Sequence, residues 1–342
     1  MRDPSTWTSA VVQRRNPMQP LATNVSPRAA PIPGIECVVF DIYGTLIISG
    51  SGEVGSATSP PTPPSGDVGR AIDGNSDPVA IALKSVNWNR EFDLRDADLK
   101  KQILAANQAA RDAEKCPSPE VEILDVWRDL MASASPVASP ASAVSRRETG
   151  YQASGDGSPA GAGDPAKGEK SGHLDPVSDV ARIVAAAADY ESRTNPTWPM
   201  PDAKELLDEL QRRGKRLGIV SNAQVFTIDL LESLCGASLL EGPFDLDLCV
   251  FSNRFRQSKP GPRLFDFLRR MLVRKGLRSE QVVYVGNDML NDVWAASQAG
   301  LKTIWYAGDR RSLRAREDDS RCEGLVPDAV VTNLHQVLDC LV

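Results

Sequence analysis

The chain has 342 residues, room for about two domains of ordinary size, and 39 basic against 45 acidic residues leave a formal net charge of −6. That balance argues against a nucleic-acid coat or a membrane-surface binder, both of which need a basic excess. Hydrophobic residues make up 41%, enough to bury a core, yet no run approaches the roughly 18 apolar residues that a membrane-spanning helix needs.

The opening MRDPSTWTSAVVQRRN lacks the apolar stretch of a secretory signal. It is Arg-containing and acid-poor to about residue 35, which keeps an organelle transit peptide as the alternative to a cytoplasmic chain. Cys37, Cys116, Cys235, Cys249, Cys322 and Cys340 are scattered with no CxxC pair, as the reduced thiols of a cytoplasmic protein are. Only two histidines occur, His173 and His335, so a histidine triad or a His-rich zinc site is not expected.

Residues 1–34 carry prolines at positions 4, 17, 20, 27, 31 and 33 without periodicity and read as a flexible tail. Cys37–Phe40 (CVVF) has the continuous apolar character of a buried parallel strand. Residues 49–69 are loop-like. Helix formers with apolar spacing follow at Ile81–Asn89 and Asp96–Ala113. Pro119–Met131 then sets Val121, Leu124, Trp127, Leu130 and Met131 on one helical face, a cap core. From Ala132 to Pro176 the chain is dominated by Ala, Gly, Ser and Pro, too poor in large apolar groups to offset its ordering entropy. Helix resumes at Asp179–Glu191.

Beyond Pro199–Pro201, strands alternate with helices. The helix Asp202–Arg213, with Asp202 as its cap and Gly214 as its stop, precedes a strand at Arg216–Val220. Helices are expected at Val225–Leu234, Pro262–Lys275, Asp292–Ala299 and Leu334–Leu341, and strands at Asp247–Phe251, Gln281–Val285, Thr303–Tyr306 and Ala329–Val331. Such alternation predicts a doubly wound parallel α/β sheet with helices on both faces. The core comprises 35–48 and 197–342, split by a helical insertion at 49–196 whose stretches 49–78 and 132–177 are expected to be disordered.

Ligands of such sheets bind at the carboxyl ends of the strands, and four of these ends carry unusual residues. They are Asp41-Ile42-Tyr43-Gly44-Thr45-Leu46, Ser221-Asn222, Lys259-Pro260, and Gly286-Asn287-Asp288-Met289-Leu290-Asn291-Asp292. Carboxylates, a hydroxyl and an ammonium converging on one crevice suit a hard cation such as Mg²⁺, to which Asp41 and Asp288 could offer side-chain oxygens and Tyr43 its carbonyl. A carboxylate facing substrate can act as a nucleophile, while Ser221, Lys259 and amides near Gly44 hold a phosphoryl group.

The four segments, in this order, resemble the four motifs of the haloacid dehalogenase-like hydrolase superfamily, over residues 36–48 and about 199–342. PTWPMPDAKELLDELQRRGKRLGIVSNA and SKPGPRLF are similar over whole blocks, and the middle of the chain falls where the family inserts a cap. The resemblance implies that Asp41 is a covalent nucleophile, that Ser221 binds the transferring group and that Lys259 orients and neutralises it. It makes Asp288 the Mg²⁺ ligand with Asp292 in support. The substrate-binding set is then Gly44, Thr45, Ser221, Asn222 and Lys259, and the substrate a small phosphate ester.

Two departures stand out. Family phosphatases usually carry a second Asp two residues after the nucleophile as general acid and base, and here that position is Tyr43, listing it beside Asp41 and Lys259 as a candidate catalytic group. The Asp-x-Tyr-Gly-Thr pattern resembles the metal-independent 2-haloacid dehalogenases instead, but the acidic pair of the fourth motif favours Mg²⁺. Within that motif, Asp288 is preferred to Asn287 as ligand because a carboxylate holds Mg²⁺ better than an amide. A phosphatase acting on good leaving groups is the first expectation. A dehalogenase, or a fold kept for binding after loss of turnover, are the alternatives. The run Arg310–Arg316 reads as a solvated loop face, with an approach to the crevice as the other reading.

Overall fold

β1 (Cys37–Phe40) is the first strand of the computed structural model, which describes residues 17–51, 77–86, 94–114, 116–133, 179–236, 239 and 241–342. β2 (Ile47–Ser49) follows, then the helices α1 (Pro78–Ser85), α2 (Asp96–Glu114), α3 (Ile123–Ser133) and α4 (Val180–Thr194), and β3 (Thr197–Pro199), antiparallel to β2. The remainder alternates: α5 (Ala203–Arg212), β4 (Arg216–Ser221), α6 (Thr227–Cys235), β5 (Phe244–Phe251), α7 (Ser252–Phe255) and α8 (Arg263–Arg274). Then come β6 (Val282–Gly286), a π-helical turn (Met289–Trp294) running into α9 (Ala295–Gln298), β7 (Lys302–Tyr306), β8 (Ala329–Val331) and α10 (Gln336–Cys340).

Six strands form one parallel sheet in the order β5-β4-β1-β6-β7-β8. Alternate residues feed opposite faces, as strand geometry requires. Val38, Phe40, Leu217, Ile219, Val283 and Val285 join one apolar cluster, whereas Cys37, Val39, Val220, Val282 and Tyr284 join the other. Burial on both faces is why these strands read as unbroken apolar runs. The helical insertion shares the first cluster with the core, Ile47 and Ile48 of β2 included, and Trp127 sits there fully buried, edge-on to Tyr190 at 5.9 Å. The fold is a parallel α/β core with an inserted helical cap.

Several local expectations are corrected. The helix expected from Pro119 begins at Ile123, because residues 116–122 are drawn onto the core: Pro119 bridges Gln257, the Ser118 carbonyl accepts from Ser258 N–H at 2.9 Å, and Ile123 N–H bonds Gln224 Oε1 at 3.0 Å. Asp202 adopts φ +64° and makes no side-chain cap bond, so its expected capping role fails, although Gly214 does stop the helix at φ +72°. Residues 17–34 are no free tail. Arg28 exchanges backbone hydrogen bonds with Val330, extending the sheet edge beyond β8, and Leu21 and Thr23 bond the loop after β7. Residues 1–16, and nearly all of the expected disordered stretches 49–78 and 132–177, lie outside the described residues.

Candidate active site

The register sets the site. Phe40 is level with Ile219 on one side and Val285 on the other, so the next residue, Asp41, emerges between the ends of β4 and β6. The Asp41 amide donates to the Val285 carbonyl at 3.0 Å. Its Oδ1 accepts from Ser221 Oγ at 2.8 Å and Lys259 Nζ at 2.7 Å, while Oδ2 takes no hydrogen bond from the described residues. Lys259 also donates to Asp292 Oδ1 at 2.5 Å and to the Tyr284 hydroxyl at 3.0 Å. Tyr284 gives its own proton to the Val220 carbonyl at 2.6 Å. Asn222 Oδ1 fixes the Lys259 amide at 2.8 Å, and Asp292 Oδ2 accepts from the Asp288 amide at 2.9 Å.

This is a buried ionic cluster: Asp41, Ser221, Lys259, Asp288 and Asp292 are all shielded from the surface. Burial alone would lower the Lys259 pKa, but Asp292 and Asp41 outweigh it and hold the ammonium protonated. Burial pushes the Asp292 carboxyl up, Lys259 pulls it back, and the Asp41 and Asp288 charges push it up again, for a net upward shift. The two shifts favour opposite states of the Lys259–Asp292 pair. The contacts decide for the ionised one, since an ammonium with carboxylate oxygens at 2.5 and 2.7 Å is strongly held. Burial, with Asp292 and Asp41, likewise raises the Tyr284 phenol, keeping it a hydrogen-bond donor.

The fourth motif differs from expectation. The helical turn opens at Met289, not Asp292, and Asp288 is its cap, accepting from the Leu290 and Asn291 amides at 2.8 and 3.0 Å. The Asp288 carbonyl accepts from both Asp292 and Val293, the wider turn that carries one extra residue. Asp292 is thereby aimed back at Lys259. Gly286 permits the approach, because a Cβ there would lie 2.4 Å from Asp292 Cγ. Asn287 turns away, its Oδ1 accepting from Thr45 Oγ1 at 3.2 Å and its Nδ2 donating to the Ser312 carbonyl.

Gly44 and Thr45 do not present their amides to a ligand. The Gly44 N–H bonds the Ile47 carbonyl at 2.7 Å and the Thr45 N–H the Ile42 carbonyl at 3.1 Å, closing the turn into β2. Gly44 is needed there for conformation and space, with φ +82° and a Cβ position 2.5 Å from Ser312 Cβ. The Tyr43 hydroxyl shares a hydrogen bond of 3.0 Å with Thr227 Oγ1, which also accepts the Gln224 amide, so Tyr43 anchors the loop after β4.

Sequence reasoning missed Tyr284, although a tyrosine within QVVYV, two residues before the fourth motif, was a usable signal. Of the two readings of Arg310–Arg316, the solvated face and the approach to the crevice, the second holds for Ser312, which packs on Gly44, and for Arg316, which pairs with Asp288. No spacing rule marks them.

A hard cation is compatible with the donors present. Among the described residues no three Asp, Glu, His or Cys side chains form a metal-ligand group. Mg²⁺, however, commonly takes one or two carboxylates and fills its octahedron with carbonyl, water and phosphate oxygens. The Tyr43 carbonyl belongs to the same turn as Asp41, and among the described residues the three carboxylates of this cluster are paired with two cations, Lys259 and Arg316. Oxygen donors with a residual negative charge fit the ion.

The model of the family described as haloacid dehalogenase-like hydrolase matches residues 35–300. The chain belongs to that family. Curated relatives include a phosphoserine phosphatase of Thermus thermophilus, 32% identical over 46% of this chain and 56% of that protein. A ribulose-1,5-bisphosphate 5-phosphatase of Halopiger xanaduensis is 31% identical over 41% of this chain and 55% of its own length. The chain thus spans little more than half the length of these two relatives. Among solved structures, a 2-haloacid dehalogenase from Pseudomonas syringae aligns over 90% of this chain and 97% of its own, with TM-score 0.44 and 17% identity. A HAD phosphatase from Thermococcus onnurineus aligns over 89% and 96%, with TM-score 0.43 and 14% identity. Among the described residues no helix is long and apolar enough to cross a membrane.

Proposed function

We propose that this chain is a cytoplasmic phosphatase of a small phosphorylated metabolite, with Asp41 as covalent nucleophile and Mg²⁺ as cofactor. The observation that carries the reading is the Asp41 carboxylate itself: one oxygen is pinned by Ser221 and Lys259, and the other takes no hydrogen bond from the described residues. A carboxylate so oriented attacks phosphorus through Oδ2, the bond from phosphorus to the leaving oxygen breaks, and an aspartyl phosphate forms. Water then cleaves the acyl phosphate, releasing inorganic phosphate and restoring the carboxylate. Lys259 and the Ser221 hydroxyl hold the transferring group, and Asp292 keeps Lys259 charged and in place.

Asp41, the Tyr43 carbonyl and Asp288 would hold Mg²⁺, supported by Asp292. Bound there, the ion would offset the repulsion between an anionic nucleophile and an anionic substrate. Tyr43 supplies no carboxylate to protonate the leaving group, so substrates whose leaving groups depart unprotonated, such as acyl phosphates, should turn over best. Curated relatives named as phosphatases support the reading, as do six cysteines that stand free of disulfides, in keeping with a reducing compartment.

Phosphate release from a panel of phosphate monoesters and acyl phosphates, with and without Mg²⁺, tests the proposal. Release should require Mg²⁺ and fall by about 10³-fold or more in Asp41→Asn, with folding intact by circular dichroism. Tyr43 favours a second reading, displacement of halide from carbon. Halide release from a 2-haloacid without any phosphate release would replace the first reading with that one.

A further inference from the structure

The carboxylate expected to meet the metal already has a cation. Arg316 Nε lies 3.1 Å from each oxygen of Asp288, and Nη2 lies 2.5 Å from Oδ2. The Asp288 side chain is 6% exposed and that of Arg316 32%, so the pair is partly withdrawn from solvent. Its delivery is built into the backbone. Arg314 bridges Asp288 in parallel register, its carbonyl accepting the Met289 amide at 2.9 Å and its amide reaching the Asn287 carbonyl at 3.2 Å. Arg316 takes up its place at φ +53°, a left-handed conformation unfavourable for any residue with a Cβ. A two-point contact with a buried carboxylate is the kind of interaction that holds such a residue there.

We propose that Arg316 competes with Mg²⁺ for Asp288: the guanidinium neutralises the carboxylate in the metal-free enzyme, and the ion binds as Arg316 lets go. This rests on the reading of Asp288 as a metal ligand. The physical basis is simple. The fork of the guanidinium engages both oxygens, and a guanidinium and a divalent ion beside one carboxylate repel each other. Each therefore weakens the other by the same factor. The far end of the loop is anchored independently, through Leu21 N–H to Asp309 Oδ1 at 3.0 Å, Arg310 N–H to the Leu21 carbonyl at 2.9 Å and Arg311 Nη1 to the Gln19 carbonyl at 2.7 Å. With the Arg314 backbone tied to Asn287 and Met289 as well, release needs to involve only the chain beyond Arg314 and the Arg316 side chain.

Calorimetric titration of Mg²⁺ into the full chain tests the competition without reference to turnover. Arg316→Gln should bind Mg²⁺ about tenfold or more tightly than the unsubstituted protein, and Arg316→Lys, which keeps the charge but loses the fork, should lie between. Asp288→Asn should bind at least about tenfold more weakly. Equal or weaker binding by Arg316→Gln overturns the competition, and Arg316→Lys decides in the same way if the glutamine variant does not fold. Where Asp288→Asn weakens binding but the Arg316 variants change nothing, only the competition falls. Where Asp288→Asn binds as tightly as the unsubstituted protein, the assignment of Asp288 as ligand fails and the competition with it.

Discussion

The strand-end cluster and the loop after β7 hold the two sides of the same crevice by different means. Asp41, Ser221 and Asp292 are delivered by strands and a helical turn whose register leaves them little choice, and Lys259 ties two of their carboxylates together inside the protein. The loop has no regular structure to place it. Its Ser312 and Arg316 are held by contacts to Gly44, the Asn287 side chain and Asp288, its Arg314 by backbone bonds to Asn287 and Met289, and its Asp309 by an N-terminal segment. A site wall fixed by sheet register is rigid by construction, whereas one fixed by ion pairs and turns can be remodelled by whatever competes for those partners.

The largest effect should come from the rigid side. Lys259→Met would leave Asp41 and Asp292 buried against each other without their ammonium, and breaking a buried pair by removing one partner costs about 3–5 kcal/mol. The midpoint of urea unfolding reads this directly, and a loss below about 1 kcal/mol would show that the cluster is wetter and softer than its burial implies. Gly44→Ala strikes where the two sides meet, adding a Cβ 2.5 Å from Ser312 and 2.9 Å from Asn287 Nδ2 at φ +82°. Overpacking together with the strained backbone should cost about 1–3 kcal/mol, and unchanged stability would mean that the loop yields freely.

Trp305→Phe removes the indole N–H that bonds the Asn287 carbonyl at 2.9 Å. That carbonyl keeps a second partner in the Arg314 amide, so the loss should be about 1 kcal/mol, measured as a shift in thermal midpoint. A surface tie sets the lower bound. The Arg256 hydrogen bond, with Arg128 in support, holds Asp125 on the cap below the usual carboxylate range. A depressed pKa contributes stability above the unfolded value near 3.9, and loses it as pH falls through the folded value. Arg256→Ala should therefore lower Tm slightly at neutral pH, by no more than about 0.5 kcal/mol of stability given the exposure of both groups, and the difference should close once the pH has fallen through the folded value.

The same division separates what could be read in advance from what could not. The central strands β1, β4 and β6 are buried on both faces and so announce themselves as apolar runs, and each ends where a polar motif begins, which, with Lys259 in the loop after β5, made the four motifs recognisable in order. Periodicity also put Trp127 in the cap core. Side-chain partners across long separations leave no such trace. Nothing local distinguishes Asp288, which caps a turn and pairs with Arg316, from Asp292, which meets Lys259, because one extra residue in a π-helical turn decides which carboxylate points where. Nor could composition tell that residues 17–34 are bound along the core edge, since their partners Val330, Asp309 and Ala307 are about three hundred residues away.

The sequence by itself determined the parallel α/β core, the insertion after the first motif and the chemical types gathered at the strand ends, because these follow from short-range patterns of burial and chain reversal. Only the tertiary structure decided that Tyr43 is an anchor, that Gly44 and Thr45 spend their amides on a turn, and that Arg316 stands against Asp288. Those outcomes depend on where loops return in space, and the path of a loop is set by packing that no local pattern encodes.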